Sequence, residues 1–410
     1  MDKEHDIMKI GIIGLGYVGL VTSAVLANQG NSVFCVDTDR EKVRNLTEGK
    51  VPIYEPDLLE YIVKNKKRML FSSDYGELGS ADCAFVCVPT PTVNGRIDTT
   101  FVEQCCKELA RVNPACTAVI KSTVVPGTAR SVMYKTGLDV ISNPEFTREG
   151  SAIQDTDRPD RIVVGGRDTS LVEGIWSFTG SPVIRTTNEN AELIKYASNA
   201  FLATKISFIN EIANLCEKIH RGDVEVIAKG MGLDKRISPY FLKAGIGYGG
   251  SCFPKDTQAL LSFARDMEVD LKIVSSTISV NYSRDAHAAD LIERETSGSK
   301  KKVCILGLSF KDSTDDIRES KALLLASEMV KRGYSVITYD PVVKYTPSGT
   351  ASSESMEDCV SKSEVVVIAG EWEQFRMLES MNVGKPIIDL KRVLDPSKFS
   401  KYRGVGLWHD

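Results

Sequence analysis

The chain has 410 residues, with 51 Lys and Arg against 55 Asp and Glu and a formal net charge of −4. Its 42% hydrophobic content is typical of a soluble globular protein, and the near-neutral balance gives no electrostatic reason to bind nucleic acid or a membrane surface. At about 150 residues per domain, the length predicts two or three domains.

The first predicted elements form a βαβ unit around a glycine motif. An apolar strand at Lys9–Ile13 is followed by Gly14-Leu15-Gly16-Tyr17-Val18-Gly19, by a helical stretch, and by a strand at Ser32–Val36 that ends in Asp37. In such a dinucleotide fingerprint Gly14 permits the tight turn, Gly16 lets the backbone approach a pyrophosphate, and Gly19 allows close helix–strand packing. We expect Asp37 to accept hydrogen bonds from ribose hydroxyls and to repel a 2′-phosphate, which favours NAD over NADP.

The βα pattern continues through the first half of the chain. Further strands are predicted at Ala84–Val88, Ala118–Ile120, Val140–Ser142 and Arg161–Val164. Polar loops follow the first three of these strands, at Pro89–Thr92, Lys121–Thr123 and Asn143–Glu145. Ligands bind at the carboxyl ends of strands in a doubly wound sheet, so these loops are predicted to face a ligand.

From Glu189 to Gly230 the sequence changes to long helical periodicity with few breakers. Side chains at steps of three and four share one face: Leu193, Ala197, Ala200, Phe201, Thr204, Phe208, Ile212 and Leu215. The pattern predicts a helix much longer than the globular average. Whether this face packs in a core, or joins two lobes or two subunits, is left open.

A glycine-rich loop follows, Gly245-Ile246-Gly247-Tyr248-Gly249-Gly250, and leads into Ser251-Cys252. Its four glycines disfavour regular structure by about 1 kcal/mol each, so we expect a reason such as close backbone approach to a ligand. Cys252 stands at a predicted helix start, beside Lys255. A helix N-terminus and a nearby cation both lower a thiol pKa, which makes Cys252 a candidate nucleophile.

Seven of the other nine cysteines lie in apolar or helical runs, such as Cys35, Cys83 and Cys304, two are unassigned, and no C-x-x-C pair occurs. The sequence therefore predicts neither disulfides nor a metal site, and a reducing cytoplasm as the setting. The four histidines are scattered, which argues against a His-based zinc site or a Ser-His triad.

A second α/β half begins at Lys301, with strands predicted at Val303–Leu306, Val336–Asp340, Val365–Ala369 and Pro386–Leu390 and a helix at Ser320–Lys331. It repeats the glycine-turn-helix theme without the dinucleotide fingerprint. The predicted fold is therefore α/β, with two Rossmann-like doubly wound domains joined by a long central helix. The predicted boundaries are 1–187 for an NAD-binding domain, 188–297 for a central helical domain that carries the Cys252 loop, and 298–410 for a domain that binds a nucleotide-bearing substrate.

Ordered motifs extend over nearly the whole chain: Gly14–Gly19, Val88–Thr92, Lys121–Val124, Asn143–Phe146, Arg148–Ala152, Glu192–Phe201, Gly247–Asp256, Gly307–Lys311 and Arg318–Ser320. In these motifs the chain resembles the UDP-glucose/GDP-mannose dehydrogenase family of nucleotide-sugar dehydrogenases. The loop Gly249-Gly250-Ser251-Cys252-Phe253-Pro254-Lys255-Asp256 has the form that the family associates with UDP-glucose and, with variations, GDP-mannose. Relatives acting on UDP-N-acetyl sugars usually carry Gly-Gly-His-Cys there, so UDP-glucose is favoured, with the other nucleotide sugars as alternatives.

The resemblance implies a four-electron oxidation of a sugar C6 alcohol to a carboxylate, using two NAD⁺ in succession. Cys252 would capture the aldehyde as a thiohemiacetal, which is oxidised to a thioester that water hydrolyses. Lys195 and Asn199, four residues apart on the long helix, would hold the C6 oxygen and its developing negative charge. Three residues would position the water and remove its proton: Thr123, Glu145 and Asp256. The sequence does not decide which of the three is the base.

The resemblance also implies two sets of binding residues. The cofactor set comprises Gly14, Gly16, Tyr17, Val18, Gly19, Asp37, Thr90, Thr123, Glu149, Lys255 and Arg318. The substrate set comprises Phe146, Arg148, Glu149, Lys195, Asn199, Arg236, Phe241, Lys243, Tyr248, Gly249, Phe310, Lys311 and Arg392. In the family an arginine matching Arg236 is lent to the neighbouring subunit, which implies a homodimer or larger homo-oligomer formed through the central helix.

Two rival functions have different signatures. A two-electron hydroxyacid dehydrogenase would need a catalytic lysine, but neither the Cys252 loop nor a second nucleotide-like lobe. A catalytically silent sensor of NAD or nucleotide sugars would not need the complete set of Cys252, Lys195, Asn199 and Asp256. The sequence favours the four-electron oxidation over both.

Overall fold

The structure, a computed structural model, describes residues 7–93, 95–296 and 301–409. The chain divides into two compact units, Met1–Ala197 and Ser198–Asp410. Within the described residues, no helix combines the length and apolar character needed to cross a membrane. The predicted boundary between residues 297 and 298 lies outside the described residues, and the division into three domains stays a prediction.

The first unit alternates strands and helices. Its strands are β1 (Lys9–Ile13), β2 (Ser32–Val36), β3 (Met69–Ser72), β4 (Cys83–Val86), β5 (Thr92–Val93), β6 (Arg96–Ile97), β7 (Thr117–Ile120), β8 (Val140–Ser142), β9 (Ile162–Gly165) and β10 (Val183–Thr186). Its helices are α1 (Tyr17–Asn28), α2 (Arg40–Thr47), α3 (Leu58–Lys64), α4 (Thr100–Val112), α5 (Thr128–Thr136), α6 (Ala152–Asp157) and α7 (Ser170–Trp176). The strands predicted from the sequence are present, with ends that differ by at most two residues.

Eight of these strands form a sheet in the order β10-β9-β8-β7-β4-β1-β2-β3, whereas β5 and β6 pair with each other as a separate antiparallel hairpin. The pairs from β3 to β8 are parallel, whereas β9 runs antiparallel to β8. The register pairs Ile13 with Val86, Val86 with Ile120, and Ile120 with Ser142. The loops that follow β1, β4, β7 and β8 therefore leave the sheet side by side at one edge, where a doubly wound fold binds its ligands.

The second unit repeats this architecture with a different set of helices. Helix α8 (Asn188–Cys216) begins in the first unit and ends in the second, and is followed by α9 (Val224–Gly232), α10 (Phe253–Asp266), α11 (Lys272–Glu295), α12 (Lys321–Lys331) and α13 (Met356–Lys362). The strands are β11 (Lys302–Leu306), β12 (Ser335–Tyr339), β13 (Ala351–Ser352), β14 (Val365–Ile368), β15 (Ile387–Asp389) and β16 (Tyr402–Gly404). They form a parallel sheet in the order β13-β12-β11-β14-β15-β16, so the predicted pair of Rossmann-like sheets and long helix is confirmed.

The long helix α8 exposes the face that its apolar periodicity marked. Phe201 is 66% exposed, Phe208 46% and Leu215 55%. The buried side chains of the helix are others, among them Tyr196, Ala203, Ile209 and Asn210. Of the two readings of this face, packing in the core of the chain is therefore wrong for its largest members, because helical periodicity identifies a common face but not what covers it.

The absence of disulfides predicted from the sequence is contradicted in the second unit. Cys304 on β11 and Cys359 on α13 form a disulfide, with Cα atoms 5.7 Å apart. Both residues are fully buried where α13 packs on the sheet. Fifty-five residues separate them along the chain, so no local spacing indicated the pair.

Candidate active site

The glycine motif after β1 has the geometry of a dinucleotide cradle. Gly14 has a φ of +93°, and a Cβ there would lie 2.9 Å from the carbonyl oxygen of Cys87. A Cβ on Gly19 would lie 1.9 Å from the carbonyl oxygen of Gly14, so only glycine permits this packing. A Cβ on Gly16 would meet nothing within 4 Å, which leaves space beside the first turn of α1. The residues present therefore fit a dinucleotide whose pyrophosphate lies at that helix N-terminus.

Asp37 lies at the carboxyl end of β2 and is already tied to the motif. Its carboxylate accepts hydrogen bonds from the N–H groups of Leu15, at 2.7 Å, and Asp39, at 2.9 Å, and pairs with the Lys42 ammonium at 2.9 Å. Burial alone would raise the pKa of Asp37, but these donors hold it below its ordinary value. Asp37 is therefore an anion held in place beside the predicted ribose position.

We expect Asp37→Ala to lower kcat/KM for NAD⁺ by about 10- to 100-fold, the usual value of hydrogen bonds to a charged group. The same change removes a negative charge and releases Lys42, so activity with NADP⁺ should rise relative to NAD⁺. Steady-state kinetics with both cofactors measure this ratio. Asp39→Ala is the control, because Asp39 caps α2 through the N–H groups of Glu41 and Lys42. An unchanged cofactor ratio in Asp37→Ala would contradict the assignment.

A carboxylate that the sequence did not single out ties the glycine motif to α6. Glu55 accepts hydrogen bonds from the N–H groups of Gly150, at 2.7 Å, and Ala152, at 2.6 Å, and from the Tyr17 hydroxyl. Burial is the larger cause, and the Glu55 carboxylate the second, of a raised pKa of Tyr17, whose hydroxyl stays protonated. The hydroxyl of Tyr17 thus bonds within the protein, and roles for Tyr17, Val18 and Glu149 in cofactor binding stay predictions.

The loops after β4 and β7 are bonded to each other. The Thr90 hydroxyl donates to the carbonyl oxygen of Thr123 at 2.8 Å. The Ser122 hydroxyl donates to the carbonyl oxygens of Val86, at 3.1 Å, and Val88, at 2.7 Å. The structure therefore brings together Thr90 and Thr123, which the sequence placed at the ends of separate strands.

Lys195 and Glu145 form a buried ion pair in the first unit. The ammonium of Lys195, 4% exposed, lies 2.9 Å from Oε1 of Glu145 and 2.7 Å from its carbonyl oxygen. Oε2 of Glu145 accepts from the N–H and the hydroxyl of Thr147 at 2.7 and 2.9 Å. Burial would raise the pKa of Glu145, but the Lys195 charge and these bonds hold it below its ordinary value. Glu145 is therefore a carboxylate with low affinity for a proton.

The residues after Glu145 border a cavity of about 140 Å³ within the first unit. The ring of Phe146 packs against the Arg161 guanidinium, whose carbon lies 3.8 Å from the ring centroid. Arg148 is exposed and pairs with Asp155. Lys121, which received no role from the sequence, also lines the cavity, with its ammonium 4.9 Å from the Trp176 ring centroid. Burial lowers the pKa of Lys121.

Glu192, one turn before Lys195 on α8, is a second carboxylate without an assigned role. It accepts hydrogen bonds from the N–H groups of Gly127, at 2.7 Å, and Ala129, at 2.8 Å, at the start of α5. Burial raises the pKa of Glu192 to about 7. Because α5 follows the Thr123 loop, this contact fixes the loop against the helix segment that carries Lys195. In the sequence, the one indication of a role for Glu192 is its position one helical turn before Lys195.

In the second unit, Cys252 is the N-cap residue of α10. The described residues include all ten cysteines, and among them Cys252 is the one exposed free thiol, whereas the other seven free thiols are buried. Burial raises the pKa of Cys35, for example, to about 12. Exposure at a helix N-terminus therefore distinguishes Cys252 from the inert thiols.

Asp256, one turn into α10, connects two other predicted site residues. It is 1% exposed, and its Oδ2 accepts from the Asn199 amide at 2.7 Å while its Oδ1 pairs with the Lys255 ammonium at 2.5 Å. Its N–H donates to the carbonyl oxygen of Cys252 at 2.8 Å. The structure thus brings Asn199, Lys255, Asp256 and Cys252 together around the first turn of α10.

The glycines before Cys252 pack closely against another segment of the same chain. A Cβ on Gly249 would lie 2.1 Å from the carbonyl oxygen of Glu319, and one on Gly250 2.7 Å from the Phe310 ring. The N–H of Gly250 donates to the carbonyl oxygen of Arg318 at 3.0 Å. Packing against residues 310–319 therefore requires glycine at both positions, and approach of this backbone to a ligand stays a prediction.

The remaining predicted substrate residues occupy varied settings in the second unit. Phe241 has a φ of +63° and its ring centroid lies 6.0 Å from that of Phe253, whereas Lys243 pairs with Glu371 at 2.6 Å. Three arginines are paired with acids: Arg236 with Asp234, Arg318 with Asp316, and Arg392 with Asp223 and Glu225. The side chain of Arg236 is 89% exposed and that of Arg392 is buried. A cofactor role for Arg318 stays a prediction. Substrate roles stay predictions for Arg236, Phe241, Lys243, Tyr248, Phe310, Lys311 and Arg392.

Comparisons with known proteins give three consecutive matches to domain models. They are the NAD binding domain of the UDP-glucose/GDP-mannose dehydrogenase family at residues 8–177, the central domain of that family at 189–283, and its UDP binding domain at 304–396. The chain is 41% identical over 391 residues to the UDP-glucose 6-dehydrogenase YwqF of Bacillus subtilis, covering 90% of this chain and 89% of that protein. It is 37% identical over 427 residues to the UDP-glucose 6-dehydrogenase of Rhizobium meliloti, covering 96% and 98%.

Solved structures give the same result. A UDP-glucose dehydrogenase from the hyperthermophilic archaeon Pyrobaculum islandicum superposes with a TM-score of 0.94 at 34% identity, covering 100% of both chains. A UDP-D-ManNAc dehydrogenase from Pyrococcus horikoshii superposes with a TM-score of 0.88 at 27% identity, covering 97% of this chain and 99% of that one. The similarity therefore extends over the whole length of the chain.

Proposed function

Because the chain belongs to the UDP-glucose/GDP-mannose dehydrogenase family, we propose that it oxidises the C6 alcohol of UDP-glucose to a carboxylate. One alcohol, two NAD⁺ and one water would give one carboxylate, two NADH and three protons. Bound NAD⁺ supplies the chemistry of accepting two electrons with a hydrogen in each oxidation. The observation that carries the proposal is Cys252, an exposed thiol at the N-terminus of α10 with Asp256 one turn away.

In the first oxidation, the protein must stabilise an oxygen that loses its proton. We assign this to the ammonium of Lys195, supported by the Asn199 amide. A fixed cation stabilises the developing negative charge more than water does, because it does not need to reorient. The ionised Glu145 lies 2.9 Å from the Lys195 ammonium, and because its pKa is lowered we assign it the role of counter-ion rather than base.

In the second oxidation, the Cys252 thiolate would add to the aldehyde carbon and form a C–S bond. Loss of a hydride from the carbon of this thiohemiacetal and of the proton from its hydroxyl oxygen gives a thioester. Water then adds to the thioester, the C–S bond breaks with its electron pair on sulfur, and the carboxylate leaves. We assign removal of the water proton to Asp256, because it lies on the same helix turn as Cys252.

UDP-glucose is proposed over other nucleotide sugars for two reasons. The Gly-Gly-Ser-Cys form of the loop is associated with UDP-glucose and, with variations, GDP-mannose, rather than with UDP-N-acetyl sugars. The relatives at 37–41% identity are named UDP-glucose 6-dehydrogenases. The test is to compare kcat/KM for UDP-glucose, UDP-galactose, UDP-N-acetylhexosamines and GDP-mannose with NAD⁺. A higher kcat/KM for GDP-mannose or a UDP-N-acetyl sugar would show that UDP-glucose is not the substrate, and the proposed two-step oxidation would then apply to that other sugar.

We also propose that the protein is a homodimer or larger homo-oligomer formed through α8. Phe201, Phe208 and Leu215 recur every seven residues, which is two helical turns, and all are exposed. On α9, Val226 is also 68% exposed. Exposed apolar side chains that recur along one helix face are typical of a protein interface. Arg236, with its exposed side chain, is proposed to enter the neighbouring subunit's substrate site.

Phe208→Glu is expected to shift the protein to monomers, because it would bury a charge in this interface. Light scattering on size-exclusion fractions at micromolar concentration measures the mass. Glu211→Gln, on an exposed position of the same helix, should leave the mass unchanged. A monomeric wild-type protein would refute the proposal.

The compartment is proposed to be the cytoplasm, because seven buried cysteines remain free thiols. The Cys304–Cys359 disulfide is buried between β11 and α13, which hinders access of reductants.

A further inference from the structure

The backbone that leads to Cys252 is held by buried polar side chains to which neither the sequence motifs nor the proposed chemistry gave a role. We call residues Gly245–Gly250 the glycine segment. Asn210 on α8 and Asn281 and Arg284 on α11 are 1%, 6% and 1% exposed. All three direct hydrogen-bonding groups at the glycine segment. Burial of polar groups costs free energy unless they are hydrogen-bonded. Because three such side chains bond the same segment, we infer that they hold its backbone in place.

The hydrogen bonds fall on two residues of the segment. Gly245 donates its N–H to Oδ1 of Asn210 at 2.8 Å and accepts from Nε of Arg284 at 3.0 Å. Tyr248 donates its N–H to Oδ1 of Asn281 at 2.8 Å and accepts from Nδ2 of Asn281 at 3.0 Å. Asn281 thus satisfies both backbone groups of one residue, as a neighbouring strand would.

The fit around Asn281 depends on a glycine. Gly247 has a φ of +103°, and a Cβ there would lie 2.5 Å from Oδ1 of Asn281. On its other side, the segment is held by the hydrogen bond from Gly250 to the carbonyl oxygen of Arg318. The segment is therefore clamped on both sides, and it has little freedom to move along its own axis.

The clamp continues to Cys252 through aromatic packing. The ring of Tyr248 meets that of Phe253 edge-on, with centroids 5.9 Å apart. Phe253 is the first residue of α10 and directly follows Cys252. Fixing the backbone of Tyr248 therefore fixes the position of the turn that presents the thiol.

We propose that Asn281 is a positioning residue that holds Cys252 in place for capture of the aldehyde. The proposal rests on the proposed function, in which Cys252 is the nucleophile. Asn281 acts through the Tyr248 backbone and the Phe253 ring, without itself contacting reacting atoms. A displacement of about 1 Å of a reacting group costs up to about 100-fold in rate.

The test uses Asn281→Ala and the nearly isosteric Asn281→Asp, which keeps an acceptor for the Tyr248 N–H and removes the donor to its carbonyl oxygen. Thr277→Val is the matched control, because Thr277 lies one turn earlier on α11, is 3% exposed, and bonds to Thr204 instead of the segment. The measurements are kcat, KM for NAD⁺, the melting temperature, NADH formed per sugar consumed, and aldehyde trapped by a hydrazine.

Both Asn281 variants should lose about 10- to 100-fold in kcat with KM for NAD⁺ unchanged, release trappable aldehyde, and form fewer than two NADH per sugar. Thr277→Val should melt lower with a normal NADH count. If Asn281→Ala does not fold, the kcat and the NADH count of Asn281→Asp decide the outcome. A folded Asn281 variant with wild-type kcat and NADH count overturns the positioning role alone, whereas carboxylate formation retained by Cys252→Ala overturns the proposed function.

Discussion

Replacing Cys252 with alanine is expected to lower the rate of carboxylate formation by about 1,000-fold or more. Without the thiol, no thiohemiacetal or thioester forms, so the second oxidation loses its covalent route. Any residual turnover should stop at the aldehyde, with one NADH per sugar. Product analysis by mass spectrometry, together with NADH absorbance, measures both quantities.

The control for this experiment is Cys216→Ala, which removes a buried thiol from the same unit. That variant should lose some stability because it leaves a small cavity, but it should keep the two-step oxidation. If Cys252→Ala made carboxylate at the wild-type rate, the thiol would not be the nucleophile. The exposed N-cap position of Cys252 would then need another explanation.

Lys195→Met is expected to lower kcat by about 100- to 1,000-fold, because it removes the cation assigned to the C6 oxygen. It should also destabilise the protein by about 3–5 kcal/mol, since it leaves the buried Glu145 carboxylate without its partner. The two effects are separable by measuring kcat and thermal unfolding on the same sample.

The double variant Lys195→Met with Glu145→Gln separates stability from catalysis. Removing both charges avoids an uncompensated buried ion, so the melting temperature should recover toward that of the wild type. Activity should stay low, because the cation is still absent. Recovery of kcat in the double variant would show that Lys195 has only a structural role.

The features that the sequence predicted correctly depend on local patterns. The glycine motif, the strands beside it and Asp37 lie within a single βαβ unit, so their spacing alone carries the fold of that unit. Cys252 was separable from the other thiols because its helix start and neighbouring lysine adjoin it along the chain.

The features that the sequence missed depend on packing between distant residues. The disulfide joins Cys304 and Cys359 across 55 residues, and Asn281 bonds the backbone of Tyr248, 33 residues before it. Periodicity found the apolar face of α8, but solvent exposure of Phe201 and Phe208 could be known only after the neighbouring elements were placed. Asn281 and Glu55 bond to backbone groups of distant residues. Because every residue has such groups, no pattern of residue types in the sequence indicates these contacts.

The central claim is that one active site carries out two successive oxidations through Cys252. The most direct measurement is the number of NADH molecules formed per UDP-glucose consumed, with the sugar limiting and NAD⁺ in excess. The account predicts two NADH and one carboxylate per sugar, with no aldehyde trapped by a hydrazine. One NADH per sugar, with an aldehyde or ketone as the product, would contradict it.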